Sequence, residues 1–456
     1  MFNKQLLCCA MAAVALTANI ADAAVSTSEA AKLGTTLTPI GAEKAGNAGG
    51  SIPEWTGGIT QAPADYKPGQ HHIDPFVDDQ PLFTITNENL SQYRDKLSAG
   101  QIALFEHYPT TFRMPVYQSR RTGAAPQWVY DNIKKNATTA ELVEGGSGFS
   151  KAYGGVPFPI PNNGLEAIWN HMARFRGQYM LWERVGAAVI QQSGAISLST
   201  SRQEVKFKYY DPNGSYETLN NLLSLYTSTS LEPARYAGNS ALVHETLDQL
   251  KEPRKSWAYN PGQRRVRRAP TIGYDTPTST SESMQTTDSV DMFNGSPDRY
   301  EWKLVGKREL YIPYNSYKIS AKGVKYKNLL TPNHLEPELA RYELHRVWVV
   351  EATLKPAFRH IYSKRTFFLD EDSWQIAVAD QYDSRGEIWI ASMAYLKNYY
   401  ELPAIWASLE VHHDLQGGRY FVTGLDMEEK ATVKLTLPAP EDNYFEPSSL
   451  RRRGVR

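Results

Sequence analysis

The feature that most constrains this chain is a series of short extended segments, from residue 177 onward, separated by turn-forming residues. The links Asp-Pro-Asn-Gly at 211–214 and Asn-Pro-Gly-Gln at 260–263 are typical turns, and those at 370–373 and 383–386 are short enough for hairpins. Because short links join neighbouring strands in opposite directions, the pattern predicts a large meandering antiparallel sheet. We expect strands at 179–189, 195–198, 203–210, 256–259, 301–312, 342–354, 361–369, 374–382, 388–396 and 419–425.

Residue alternation within these segments indicates what kind of sheet they form. Leu344 and Trp348 share one parity, whereas Glu343 and His345 share the other, and the segment that begins at Trp374 repeats this arrangement. One face of the sheet should therefore be apolar and the other exposed to solvent. A sheet of about ten strands with a large aromatic face must curl or be covered. The pattern predicts a mainly β (α+β) fold in which a few helices cover part of a large curled antiparallel sheet and leave room for an apolar cavity, although a fully packed core is the alternative.

The first residues have the pattern of a secretory signal. Lys4 precedes an apolar run at 6–16 that is too short to span a bilayer, and Ala-Asp-Ala at 21–23 fits a cleavage site. We therefore expect a signal peptide over 1–23 and a mature chain that begins near Ala24.

Both cysteines of the chain, Cys8 and Cys9, lie in this segment. Acylation needs a small residue before the modified cysteine, but Leu7 precedes Cys8, so we expect no lipid anchor. A mature chain without disulfides fits the bacterial periplasm best.

The remaining chain is expected to contain an extended arm at 24–76, pinned by Trp55, and a single large β domain at 77–456 with inserted loops. Helical spacing predicts helices at 90–97 and 164–176. The Gly- and Pro-rich passage at 145–161 between them is either a lid or binding loop, or disordered surface.

Composition and motifs argue against nucleic-acid binding, catalysis and metal binding. Lys+Arg and Asp+Glu are equal at 49 each, so no nucleic-acid partner is implied. Gly-x-Ser-x-Gly and His-x-x-x-His are absent, and the acidic turn at 370–372 lacks the glycine and glutamate of a calcium loop, so we expect it to be solvated. We expect no catalytic residue, no metal site and no cofactor.

A basic run contains Arg264, Arg265, Arg267 and Arg268. On a strand, alternate arginines face opposite ways. Two interpretations of these arginines remain open. They form weak ion pairs with acidic neighbours, or they bind anionic lipid headgroups.

Five segments carry a family resemblance, namely SWAYNPGQRRVRRAP at 256–270, WKLVGKRE at 302–309, RYELHRVWVVEA at 341–352, RHIYSKR at 359–365 and DEDSWQI at 370–376. They resemble a family of secreted Gram-negative proteins with a domain of unknown function, which is similar to the lipoprotein-sorting proteins LolA and LolB. This resemblance implies a curved half-barrel that holds acyl chains. It also implies work in envelope transport beside an outer-membrane protein and an exporter of the resistance-nodulation-division type.

These observations predict a periplasmic, non-enzymatic carrier or binding protein for lipid or another hydrophobic amphiphile. A hydrolase of envelope lipids and a ligand-free adaptor of a transport complex are the alternatives. The arginines of the basic run are predicted to contact the headgroup. The predicted lipid-binding residues are Trp257, Tyr259, Trp302, Leu304, Leu344, Trp348, Trp374, Ile376 and Trp389.

Overall fold

The structure, a computed structural model, describes residues 24–269, 274–278 and 280–454. The predicted signal peptide at 1–23 lies outside the described residues. Among the residues that are described, no helix combines the length and apolar character needed to cross a bilayer.

Strands dominate the chain. They are β1 (Phe83–Ile85), β2 (Met114–Tyr117), β3 (Glu141–Leu142), β4 (Phe149–Ser150), β5 (Tyr179–Ile190), β6 (Ile196–Lys206), β7 (Leu222–Glu232), β8 (Ser240–Thr246), β9 (Lys255–Asn260), β10 (Arg265–Arg268), β11 (Tyr300–Pro313), β12 (Tyr342–Leu354), β13 (Lys364–Asp370), β14 (Ile376–Tyr382), β15 (Ile388–Tyr399), β16 (Ala404–Asp414) and β17 (Arg419–Leu425). The helices are α1 (Thr27–Ala30), α2 (Ala99–His107), α3 (Gln127–Asn136), α4 (Gly164–Ala173), α5 (Tyr216–Leu219), α6 (Tyr326–Leu329) and α7 (Pro447–Gly454).

Fifteen of the strands form one open, curved sheet. The order β12 to β17 continues through β5 to β10, so two meanders meet where β17 pairs with β5. β11 pairs with the other side of β12, β1 and β2 join at one end, and only the short β2–β12 contact is parallel. The prediction of a large curved antiparallel sheet with few helices is confirmed.

Several predicted boundaries were wrong for identifiable reasons. The segments predicted at 195–198 and 203–210 form the single strand β6, and β7, β8 and β16 were missed. All residues of β16 are buried, so it shows no polar alternation to read. The segment at 90–97 forms two short 3-10 turns, while the α-helix is α2, whose N-terminus carries a capping box between Ser98 and Gln101.

Both faces of the central sheet are covered, so the predicted wet face is wrong. Glu343 and His345 of β12 are buried. The backbone N–H of Arg120 donates to the Glu343 carboxylate at 2.8 Å, and the ring of Tyr314 lies 4.0 Å from that of His345. Chain segments distant in sequence therefore cover this face with polar partners, which alternation alone cannot reveal.

On the opposite face, residues 280–296 form a segment that we call the covering loop. Met284 packs with Val189 and Phe421, and Phe293 packs edge-on against Trp302 and Phe367. The aromatic face that the sequence predicts is thus closed over by the chain itself.

Candidate functional site

A small cavity lies where α3, the end of α4, the β13–β14 turn and the start of β16 meet the N-terminal arm. Its walls are mainly apolar and include Ile40 of the arm, Val129 and Ile133 of α3, and Ile405 of β16. The cavity measures about 30 Å³, which exceeds the roughly 10–15 Å³ that one water molecule needs. Pockets for small ligands measure roughly 300–1,000 Å³. The cavity in this structure is therefore far smaller than a pocket that holds a small ligand.

Local sequence explains why these residues converge. Val129 and Ile133 are four residues apart, so they lie on the same face of α3 and point into the cavity together. Val156 adds a wall from the Gly- and Pro-rich passage, whose residues 154–159 are buried. That passage is consequently packed structure, and the disordered-surface alternative for it is wrong.

Trp374 joins the cavity to both the sheet and the arm. It is fully buried in the β13–β14 turn with a φ of 62°, a backbone conformation that bulky residues adopt only when their surroundings enforce it. Its ring stacks on Trp348 at 5.9 Å, and its Nε1 donates to the Ile40 carbonyl at 2.9 Å. Strong packing on both sides thus holds this strained turn.

A buried cation forms one polar part of the cavity wall. Arg174 is 1% exposed. It donates through Nη2 to Asp291 at 2.5 Å and through Nη1 to the His171 carbonyl at 2.6 Å, while its Nε has no hydrogen-bond partner. Burial would raise the pKa of Asp291, but Arg174 and Arg176 hold it well below the usual range of a carboxyl group. Arg174 therefore presents one unused donor beside an apolar cavity.

A buried ionic network borders the cavity on the other side. Arg121 donates to both oxygens of Asp372 at 2.8 and 2.7 Å, and Arg346 donates to Glu371 at 2.7 Å. Both arginines also donate to carbonyls of the arm, such as that of Glu43 at 2.7 and 3.1 Å. The prediction that the acidic turn is solvated is wrong, because the arm and these arginines bury it.

Within this network, His345, Asp370 and Asp372 each offer one ligand atom, and these atoms lie within 4.8 Å of one another. Burial, followed by the neighbouring Asp372 carboxylate, raises the pKa of Asp370 to about 7. Of the residues that the structure describes, these three have the geometry of a metal site, a possibility that the sequence motifs did not reveal.

The nine predicted lipid-binding residues do not form a single surface. Trp257 and Tyr259 belong to a separate cluster beneath α7, and half-buried Trp389 donates to Asp414 at 3.0 Å. Only Trp374 lines the cavity. The other members, which belong to the main core or pack against it, are Trp302, Leu304, Leu344, Trp348 and Ile376.

The sequence analysis missed most of the cavity wall. Val129 and Ile133 follow Pro126 at helical spacing, so this signal could have predicted α3. The position of Arg174 just after α4 gave no such signal, because its role depends on Asp291 in the distant covering loop.

The basic run lies at the edge of the sheet. Arg264, Arg265, Arg267 and Arg268 are all exposed, and none of them has a carboxylate oxygen within 4.0 Å among the described residues. Side chains of both parities reach solvent, and β10 is the last strand in the sheet order. Helix α7 packs against β8, β9 and β10 and adds the exposed side chains of 451–452. We call these six arginines the basic edge.

Most of the chain matches a known protein family. Residues 84–451 match the family described as "Protein of unknown function (DUF1329)". An uncharacterized protein from Pseudomonas aeruginosa is 47% identical over 458 residues, which covers 100% of this chain and 99% of that protein.

Solved structures are more distant. A domain from Vibrio parahaemolyticus, named as a candidate outer-membrane lipoprotein-sorting protein, is 15% identical with a TM-score of 0.43 over 63% of this chain and 98% of that one. A DUF1329 protein from Desulfovibrio piger is 14% identical with a TM-score of 0.41 over 60% and 92%. A LolA superfamily protein from Nitrosomonas europaea is 14% identical with a TM-score of 0.35 over 60% and 93%.

Proposed function

The chain belongs to the DUF1329 family, and we propose that it is a non-enzymatic carrier or binding protein of the bacterial envelope for a hydrophobic amphiphile with an anionic headgroup. The observation that carries this proposal is the apolar cavity beside Arg174, whose buried Nε–H has no partner. An apolar pocket with a few placed polar groups is the usual form of a site for such ligands.

The two parts of the site suit the two ends of an amphiphile. Burial of a hydrocarbon tail against Ile133, Ile405 and Trp374 would stabilise the complex by about 0.8 kcal/mol per methylene. Donation from Arg174 to an anionic headgroup would satisfy a polar group that is otherwise buried without a partner. Neither interaction requires a catalytic group.

Ligand entry requires the cavity to open, and the arm is the element we expect to move. Ile40 forms part of the wall. Among the described residues, the bridges of the arm at 33–43 are internal, and the arm forms no ladder with the large sheet. Displacing it breaks no sheet ladder. It does break the hydrogen bonds that Arg121 and Arg346 donate to the Glu43 carbonyl and the backbone hydrogen bond that Ile59 donates to the Thr122 carbonyl. Opening there would extend the apolar surface from Trp374 to its stacked neighbour Trp348, so these two members of the predicted set are the ones that we propose as part of the ligand surface.

The basic edge would act at the membrane. Its six exposed arginines form a surface of one sign on a chain with balanced total charge, which is suited to anionic headgroups. We propose that this edge contacts the membrane during loading or delivery, with the protein in the periplasm. An outer-membrane protein and a resistance-nodulation-division type exporter are the partners we propose.

Binding of a fluorescent fatty acid, compared with the matching neutral alcohol, tests the ligand site. Arg174→Met combined with Asp291→Asn, which leaves the net charge of the site unchanged, should weaken fatty-acid binding at least about tenfold, the equivalent of about 1.4 kcal/mol, and leave alcohol binding nearly unchanged. Arg176→Met with the same Asp291→Asn is the matched control, because Arg176 also pairs with Asp291 but does not line the cavity.

Equal losses for the acid and the alcohol, or no binding of either, would contradict the proposed site. Native mass spectrometry of protein from its own host separates the alternatives. A co-purified amphiphile supports a carrier, conversion of that amphiphile supports a hydrolase, and a protein that never carries one supports an adaptor.

Co-sedimentation with vesicles tests the basic edge. Replacing Arg265 and Arg267 by Glu should reduce binding to anionic vesicles in a salt-sensitive way, with little change in thermal stability. Because both parities are exposed, replacing Arg264 and Arg268 should have a similar effect. The control is Arg385→Glu, at an exposed arginine that pairs with Asp383. Unchanged binding in both double variants would exclude the edge as the membrane contact.

A further inference from the structure

Three buried side chains converge at the edge of the cavity, and of these only Asp372 lines it. His345 comes from β12, and Asp370 and Asp372 come from the end of β13 and the turn that follows it. The Nδ1 atom of His345 lies 3.9 Å from Oδ1 of Asp370, and one ligand atom from each of the three residues lies within 4.8 Å of the others. This spacing leaves room for a single ion between them.

The histidine is oriented as metal ligands usually are. Its other nitrogen, Nε2, hydrogen-bonds to Glu343 Oε2 at 3.1 Å. Arg341 and Asn315 in turn donate to Oε1 of Glu343 at 2.6 and 3.0 Å. When Nε2–H donates to this fixed carboxylate, the lone pair of the imidazole is on Nδ1 and faces Asp370. Metal-binding histidines usually have this arrangement, in which the hydrogen bond of one nitrogen fixes the tautomer and leaves the other nitrogen free to bind the ion.

An unpartnered oxygen points to a missing ligand. Ser373 donates to Oδ2 of Asp370 at 2.5 Å, but Oδ1, the atom that faces His345, has no hydrogen-bond partner although the side chain is fully buried. The hydroxyl of Tyr314, whose ring lies against His345, is buried and unpartnered as well. Buried polar atoms in this state are rare and call for an explanation such as a bound ion.

We propose that His345, Asp370 and Asp372 bind one divalent first-row transition-metal ion, of which Zn²⁺ is the most typical for this set of ligands. One imidazole nitrogen and two carboxylates match the ligands that such ions use. Asp372 can bind the ion while it accepts from Arg121, since each carboxylate oxygen has two lone pairs.

The ion would fasten β12 to the acidic turn. The third ligand, Asp372, also borders the cavity, which gives the ion a route of entry when the arm moves. The inference rests on these side chains alone and holds whether or not the protein carries an amphiphile.

Zinc titration of chelator-treated, full-length protein tests this site. We expect one equivalent of Zn²⁺ to remain after dialysis, as measured by inductively coupled plasma mass spectrometry, and the Tm to rise by roughly 5 °C at a hundredfold excess over Kd. Asp370→Asn keeps the shape and the Ser373 contact but should abolish both effects. The matched control is Asp288→Asn, because Asp288 is also buried beside a histidine, His360, but is fully paired by Arg365.

Wild-type protein that retains no zinc, or an Asp370→Asn variant that binds like the wild type, would overturn the proposal, as would equal loss in the Asp288→Asn control. Circular dichroism of each metal-free variant establishes that it is folded. If Asp370→Asn fails to fold, X-ray absorption of zinc-loaded wild type decides the question. One imidazole nitrogen and a shell of oxygens support the site, and a shell without imidazole excludes it.

Discussion

A single side chain, Trp374, links the sheet to the arm, and this link can be tested without emptying the core. Trp374→Phe keeps an aromatic ring against Trp348 but loses the Nε1–H that donates to the Ile40 carbonyl. We expect the free energy of unfolding to fall by about 1–3 kcal/mol. Limited proteolysis should cut the arm faster in this variant.

The control is Trp389→Phe, since Trp389 donates to Asp414 and not to the arm. Equal rates of arm cleavage in both variants would show that the Trp374 hydrogen bond does not hold the arm.

At the scale of residues, the sequence predicted Trp374 as an inward-facing aromatic but not its partners. Parity indicates the side of a strand on which a residue lies, and this was sufficient for Trp348. Trp374 lies in the turn before β14, where strand parity does not apply. The burial of Asp370 and Asp372 depends on Arg121, about 250 residues away. The sequence of the turn alone therefore predicts that these side chains are exposed to solvent. The buried polar residues of the candidate site are hard to predict from sequence, because their positions depend on partners that are distant in the chain and not on local spacing.

At the scale of elements, the N-terminus of α2 predicts a pH effect. Asp380 is buried beneath that end and accepts from Ser98 Oγ at 2.9 Å. Burial raises the pKa of Asp380 to about 6 despite the helix N–H groups that oppose the shift. Because the folded state holds this proton more tightly than the unfolded state, the stabilisation is complete below pH 3.8 and is lost as pH rises through about 6.

Asp380→Asn removes this dependence. Between about pH 4 and pH 7 the wild type should lose up to about 3 kcal/mol of stability relative to the variant. Urea unfolding of both proteins across this range measures the difference in their free energies of unfolding. The test is whether this difference changes with pH, because the substitution itself can add a constant amount at every pH. Parallel curves for the two proteins would mean that Asp380 titrates normally.

Elements were predictable where a turn or a cap marks their ends. The hairpins at 370–373 and 383–386 were correct, and helix α4 began at the predicted residue. Strands buried on both sides, such as β16, lose the alternation on which the prediction depends. The helix was predicted at 90–97 instead of at α2, because the apolar residues of 90–97 also have helical spacing.

At the scale of the whole molecule, the arm and the sheet should differ in stability. Hydrogen–deuterium exchange should be faster over 24–76 than over β12 to β16, because the arm has no ladder with the sheet. A saturating fatty acid should change exchange mainly in the arm around Ile40. Protection of the arm equal to that of β14 would mean that the arm cannot open the cavity as proposed.

Processing of the whole chain gives a further prediction. Intact-mass measurement of protein from its native host should give a chain that begins near Ala24 without a diacylglyceryl group. A chain that begins at Cys8 or Cys9 and carries the mass of a lipid would contradict the reading of the signal.

The pairing of β17 with β5 also determines how the sheet can assemble. Strands β5 to β10 and β11 to β17 are two local meanders, but the seam between them joins residues about half the chain apart, as in Tyr420 and Ile190. Contacts of such long range form slowly. A chain delivered with its N-terminus first would keep the edge of β5 unpaired until about its last tenth arrived, and a chain shortened before β17 would leave that edge open to other molecules. We therefore expect clean folding only of a chain that includes both β5 and β17.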